Sequence, residues 1–230
     1  MSTADFFEVL KTRRSVRVYK PDAVPAEVVK KVVENGFLAP NSSNMQTCQV
    51  HWVKTPEKKV KLVEACLNQS AARTAPELLV VVSDRGLWKW SQQKIIKTFN
   101  AESPKALYDY YQKLVPFTYG LTFLAPIKWL IFNVGGLFRP LVRRPWSPRD
   151  IDEICIKSAA LVSENIMLTA RALGYDTCPM EGFDEVRVKK LLGLQRTARV
   201  VMVISLGKRD EKGIWGEQYR HPLNETFIEH

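Results

Sequence analysis

One helix restricts this fold more than any other stretch of the chain. Ser147-Pro148-Arg149-Asp150 reads as its start, with Ser147 as N-cap and Pro148 at the first helical position. Beyond it, Ile151, Ile154, Leu161 and Leu168 mark one apolar stripe at helical spacing. Cys155, Ala159, Val162, Ile166, Ala170 and Leu173 mark a second. A helix apolar on two faces is buried rather than superficial. Its middle is small (Ser158-Ala159-Ala160 and Ser163), so another backbone can approach closely there. Gly174 is a natural residue to end it. The eleven residues from Gly174 to Asp184 read as a loop poor in reactive side chains, which points to a site served by backbone N–H groups. Asp184 then caps a short helix to Leu192, closed by Gly193. A buried helix of this kind predicts an α+β fold, a mainly antiparallel sheet flanked by helices, with that helix central to an obligate homodimer.

Such a helix needs a core around it. At 230 residues, 46% of them hydrophobic, the chain can supply one as a single domain 1–230, with 87–145 as an excursion. Four cysteines without a C-x-x-C pair favour a reducing, cytoplasmic compartment. Met1 to Asp5 carry no basic or apolar run of the kind that opens a signal peptide. The net charge of +10 favours anionic partners. Its basic residues are dispersed, which argues against nucleic acid as the partner.

Taken in order, Thr3 is expected to cap a helix from Ala4 to Lys11 with Phe6, Phe7, Val9 and Leu10 as its apolar part. In the run Arg13-Arg14-Ser15-Val16-Arg17-Val18-Tyr19, an extended chain puts Arg13, Ser15 and Arg17 on one face. Two guanidinium groups and a hydroxyl there suit a phosphate dianion; a solvated basic turn is the other reading. Pro25 opens a helix with Val28, Val29, Val32, Val33 and Phe37 inward. Ala39-Pro40-Asn41-Ser42-Ser43-Asn44-Met45-Gln46 is either a solvated turn or the lining of a polar ligand. Cys48 to Val53 alternates as a strand, and Glu57 to Cys66 reads as a helix with Val60, Val63 and Leu67 inward. Leu78 to Val82 and Ala198 to Leu206 are continuous apolar strands. The tail from Gly213 has too few apolar residues to pack alone and is expected to lie across a partner subunit.

Within 87–145, Trp88 to Phe99 and Pro104 to Val115 look helical, and Phe117 to Phe138 is almost wholly apolar. Pro126 and Lys128 in its middle argue against a transmembrane span. It is expected to cover the site or the dimer interface. Basic flanks at Lys113, Arg139, Arg143 and Arg144 also fit peripheral contact with an anionic membrane.

The inventory excludes several chemistries. His51, His221 and His230 supply no triad, there is no His/Cys cluster at metal spacing, and neither phosphate-loop nor dinucleotide glycine motifs occur. No side chain stands out as a catalytic acid, base or nucleophile, so a bound phosphorylated cofactor is expected to carry the reaction.

The order Arg-Arg-Ser-Val-Arg, Ala-Pro-x-Ser-x-Asn-x-Gln, Gly-x-x-Thr-Cys-Pro-Met-x-Gly-Phe and a final Arg-x-Pro tail resembles the nitroreductase-like FMN flavoproteins. The match covers most of 1–86 and 147–230. By that resemblance Arg13, Arg14, Ser15 and Arg17 would hold the FMN phosphate and ribityl end, with Arg220 and Lys208 adding charge. Pro40, Ser42, Asn44 and Gln46 would approach the same flavin from the other subunit of an intertwined homodimer. Asn68 would contact the ring. Pro179, Met180, Glu181 and Gly182 would lie along the isoalloxazine, with a backbone N–H near Glu181 donating to N5. The implied activity is ping-pong hydride transfer from NAD(P)H to a nitroaromatic, quinone or similar electrophile, and the apolar 117–138 segment predicts a preference for bulky, apolar ones. Reductive dehalogenation, flavin modification, or flavin binding without catalysis are the alternatives on this fold. Thr47-Cys48 stand where the family often has Pro-Trp, and Ala71 where a Lys is common. The 87–145 excursion is longer than usual.

Overall fold

A computed structural model describes residues 6–230. The expected cap at Thr3 and helix start at Ala4 lie outside the described residues. Strand β1 (Cys48–Trp52), β2 (Glu77–Asp84), β3 (Asp176–Met180) and β4 (Ala198–Gly207) form one sheet in the order β1-β2-β4-β3. Every pairing is antiparallel, as the α+β reading requires.

Strand alternation builds the layers. Leu78, Val80 and Val82 of β2 enter one core with Val203 of β4, while Leu79 and Val81 enter the other with Ile204 and Leu206. On the first side lie helices α3 (Pro56–Ala65), the short α4 (Ser70–Thr74) and α9 (Glu185–Leu192), through Leu62, Ala65, Ala71, Ala72 and Val188. On the second lie α2 (Ala26–Gly36) and the long α8 (Pro148–Ala172). Both inner strands are therefore buried on two faces, which explains their uninterrupted apolar runs.

Helix α8 begins as its sequence dictates. Ser147 Oγ accepts from the Asp150 N–H at 3.1 Å and the Asp150 carboxylate accepts from the Ser147 N–H at 3.0 Å, a complete capping box. Gly174, at φ +79°, ends it. The second stripe is buried within the chain through Cys155, Ala159, Val162, Ile166 and Ala170; of the first, Ile151 is buried, Ile154 and Leu168 are half-buried, and Leu161 is exposed. The close approach is made at Gly36 of α2, where a Cβ would stand 2.6 Å from Ile166 Cγ1.

Several expectations are corrected. The stretch from Gly174 to Asp184 is not all loop, because Asp176–Met180 is the edge strand β3. Pro179 is tolerated there, since an edge strand can spare one N–H. In α1 (Phe6–Thr12) only Val9 is buried, and Phe6, Phe7 and Leu10 are exposed. In α3 the inward residues are Leu62 and Ala65; Val60 and Leu67 face outward.

The excursion is helical but broken. Helices α5 (Trp88–Ile96) and α6 (Lys105–Asp109) are followed by π-helical turns at Tyr110–Leu114 and Pro116–Gly120, then α7 (Ala125–Gly135). Phe37, expected inward, is exposed. Among the described residues no single helix is long and apolar enough to cross a membrane; Lys105–Gly120 and Thr122–Gly135 pair across a bend of 59°.

Candidate functional site

The N-terminal arginines stand where α1 runs into the edge of the sheet. The Arg13 N–H closes α1 on the Val9 carbonyl, and the Val16 N–H donates to the Thr177 carbonyl of β3 at 3.0 Å. A buried ion network fixes this junction. Asp176 takes Arg209 Nε at 2.7 Å and Arg171 at 3.3 Å, and Arg171 Nε also donates to Thr12 Oγ1. Two guanidinium groups are thereby committed to one carboxylate, beside the arginines that remain for a ligand.

The C-terminal tail closes the other side. The Arg17 N–H donates to the Gly213 carbonyl at 2.7 Å, and the Asp210 N–H to the Val18 carbonyl. The backbones come so close that a Cβ on Gly213 would lie 2.5 Å from the Val18 oxygen. Residues 215–220 then pass over the arginines. Arg14 donates to the Gly216 carbonyl at 2.8 Å, and the Arg17 guanidinium lies 4.7 Å from the Trp215 ring centroid.

The result is a cavity of about 180 Å³ lined by Arg13, Arg14, Ser15, Arg17 and Arg220, together with Trp215, Glu217, Gln218 and Tyr219. Nη1 of Arg13 is buried without a hydrogen-bond partner. A buried, unpaired guanidinium nitrogen is costly in the absence of an acceptor. Four guanidinium groups and a hydroxyl facing one space make a dianionic phosphate group the acceptor that fits. The field reaches Cys178: burial pushes its thiol pKa up, and the charges of Arg17 and Arg13 oppose that rise.

Five of the fifteen sequence-predicted residues are thus gathered in one place. Lys208 is exposed and meets Lys20 through its carbonyl. At the far end of β3 the Gly182 carbonyl accepts from Gln69 Nε2 at 2.6 Å, which ties Glu181–Gly182 to the turn carrying Asn68. Asn68, at φ +54°, lines a separate cavity of about 480 Å³ with Lys59, Val63, Glu64 and Arg73. Pro179 is half-buried and Met180 belongs to the core, while Glu181 is exposed.

The loop Pro40–Gln46 stands elsewhere. Pro40 and Ser42 line a space of about 380 Å³ against Ile154, Ser158 and Leu161 of α8. Ser43, Asn44 and Gln46 all have positive φ, and Gln46 Nε2 bonds to Asn44 Oδ1 at 3.3 Å. The excursion grips this loop: Ser43 Oγ is 2.6 Å from the Tyr110 hydroxyl, and the Tyr111 hydroxyl donates to the Ser43 carbonyl at 2.8 Å. Burial pushes the Tyr119 phenol beside them up to about 12.

Trp215, Glu217, Gln218 and Tyr219 were missed as lining residues, as was the Tyr110–Tyr111 clamp. Gly213 was the available signal for the first group. Among the described residues no group of three or more His, Cys, Asp or Glu is placed to hold a metal ion.

Comparison with known proteins identifies the family. The sequence profile of the nitroreductase family matches residues 10–208. The chain belongs to the nitroreductase family. Among family relatives, YdgI of Bacillus subtilis (strain 168), named as a NAD(P)H nitroreductase, is 30% identical over 227 residues, covering 97% of both chains. The crystal structure of YdfN from Bacillus subtilis, named as a nitroreductase, superposes with a TM-score of 0.77 at 28% identity and covers 98% of each chain. A nitroreductase from Exiguobacterium sibiricum, solved in complex with FMN, shares the fold with a TM-score of 0.73 at 24% identity, covering 100% of this chain and 99% of that one. Nitroreductase-family membership makes the chain an oxidoreductase of that class.

Proposed function

We propose that this chain is an FMN-dependent oxidoreductase that takes hydride from NAD(P)H and delivers it to an apolar, electrophilic small-molecule acceptor such as a nitroaromatic or a quinone. The observation that carries the reading is the arginine cavity, with the buried Arg13 Nη1 left unpaired. When bound, FMN would supply a two-electron carrier that accepts hydride from the nicotinamide and passes it on in a ping-pong sequence.

The chain's own residues would bind and orient. Arg13, Arg14, Arg17 and Arg220 would neutralise the phosphate, and the Ser15 hydroxyl would add a donor. Strand β3 leads from Thr177, beside this cradle, to Glu181–Gly182 at its other end. There the Gln69 bond to Gly182 would hold the backbone rigid. A backbone N–H near Glu181, rather than an acid–base side chain, would steady the site. Asn68, on the adjoining turn, would contact the ring edge.

Pro40, Ser42, Asn44 and Gln46 would serve the site of a second subunit. This reading is supported by the position of Pro40 and Ser42 against Ile154, Ser158 and the exposed Leu161 of α8, outside the arginine cavity. The dimer would cover Leu161 and the half-buried Ile154. Residues 1–230 would form one domain, with 87–145 as an insertion whose tyrosines hold the Pro40–Gln46 loop.

Visible spectroscopy tests the function. The purified, FMN-loaded protein should be yellow, bleach anaerobically with NADPH or NADH, and recolour when a nitroaromatic or quinone is added. Protein that takes up no FMN, or flavin that stays oxidised with both nicotinamides, would overturn the reading.

A further inference from the structure

We propose that the outer face of the 121–144 segment docks on an anionic lipid bilayer, lying among the headgroups rather than crossing them. The inference goes beyond the redox reading and does not rest on it.

Between Leu121 and Phe138 every exposed residue is apolar. Phe123, Leu137 and Phe138 are 74%, 75% and 85% exposed, and Trp129 is 60% exposed. The one charged side chain of the same stretch is spent inside. Lys128 is buried, with Nζ donating to the Phe117 carbonyl and lying 4.3 Å from the Phe117 ring centroid and 5.5 Å from that of Trp146. Asn133 Nδ2 donates back to the Trp129 carbonyl at 2.8 Å. A face from which the one lysine is folded inward is built for an apolar environment, and a contiguous patch of this kind marks an interaction surface.

Charge chooses the occupant. No Asp or Glu occurs between Asp109 and Asp150. Arg139 and Arg143, next to Phe138 in sequence, are exposed. Two copies joined through this face would bring like charges together, whereas anionic lipid headgroups complement them. The bend of 59° before α7 and the absence of a single spanning helix among the described residues fit a segment lying in the interface. Trp129 is the side chain favoured at that depth.

Vesicle flotation of the full-length protein tests this. Wild type should float with vesicles of phosphatidylcholine plus phosphatidylserine, much less with phosphatidylcholine alone, and less as salt rises. The double variant Leu137→Ser/Phe138→Ser should partition at least about tenfold more weakly. Arg139→Glu, on an exposed side chain, should lose about fivefold or more on anionic vesicles and nothing on neutral ones. It keeps the test open if the apolar double variant does not fold. Three results would each overturn the proposal: wild type that stays unbound with both vesicles, binding indifferent to lipid charge and salt, or variants that bind as wild type. If wild type ignores vesicles and the double variant dissociates in sedimentation, the face belongs to a second copy instead.

Discussion

The guanidinium of Arg17 stacks over the indole of Trp215, 4.7 Å from its centroid, and so joins the N-terminal segment 13–19 to the C-terminal tail at the mouth of the arginine cavity. An exposed cation–π contact contributes about 0.5–1 kcal/mol. Trp215→Ala should therefore weaken FMN binding by about two- to fivefold, and Trp215→Phe by less. Flavin-fluorescence titration reads the effect, and unchanged affinity in Trp215→Ala would remove the tail from the site.

Gly213 makes a second prediction. Its substitution by Ala would force a Cβ to 2.5 Å from the Val18 carbonyl oxygen, a backbone atom that cannot swing aside. The tail must then lift from residues 16–19. The expected cost is about 1–3 kcal/mol of stability, with weaker FMN retention than in Trp215→Ala. Urea denaturation checks the first figure. A wild-type midpoint would show that the tail docks less tightly.

Tyr111 donates to the Ser43 carbonyl, in a loop where Ser43 and Asn44 are held at positive φ. Tyr111→Phe removes that bond and leaves the ring packing, so stability should fall by about 0.5–1.5 kcal/mol. Limited proteolysis should cut more readily between Asn41 and Gln46. Protection equal to wild type would mean that the loop holds itself.

Asp150 predicts a dependence on acid. Burial works to raise its pKa, but the Ser147 and Trp146 N–H groups, the Ser147 hydroxyl and Arg144 hold it well below the ordinary value of 3.8. A depressed carboxylate stabilises the fold above its unfolded pKa, and that contribution is lost as pH falls below about 4 through the folded value. At neutral pH Asp150→Ala should cost about 1 kcal/mol, as a lost cap does. The difference from wild type should shrink on acidification below pH 4. A constant difference down to pH 2 would show that the carboxylate's charge contributes nothing.

Much of this arrangement was legible in the chain because its signals are local. Ser147, Pro148, Asp150 and Gly174 bound α8, and Asp184 and Gly193 bound α9, each through its own backbone geometry. The continuous runs of β2 and β4 announced strands buried on both faces. The errors arose where tertiary contact outweighs local preference. Pro179 and Gly182 made β3 read as loop, although an edge position spares Pro179 its N–H. Val60 and Leu67 look inward by periodicity, yet the packing of α3 turns Leu62 and Ala65 to the core. The arginine run showed half of its cavity; Trp215 and Tyr219 join it only because Gly213 lets the tail press against Val18. Lys128 counted against a membrane span, and its inward turn onto Phe117 and Trp146 depends on rings that no local pattern places together.

Comparing FMN with riboflavin, which lacks the phosphate, tests the phosphate cradle most directly. Each charge-assisted hydrogen bond to the phosphate contributes about 1.5–3 kcal/mol. The apoprotein should therefore bind FMN at least about a hundredfold more tightly than riboflavin. Arg17→Ala should lose about 1.5–3 kcal/mol of that preference while leaving riboflavin affinity nearly unchanged, and Glu181→Ala should do much less. Equal affinity for the two flavins in wild type, or an unaltered preference in Arg17→Ala, would contradict the assignment of this cavity to the FMN phosphate.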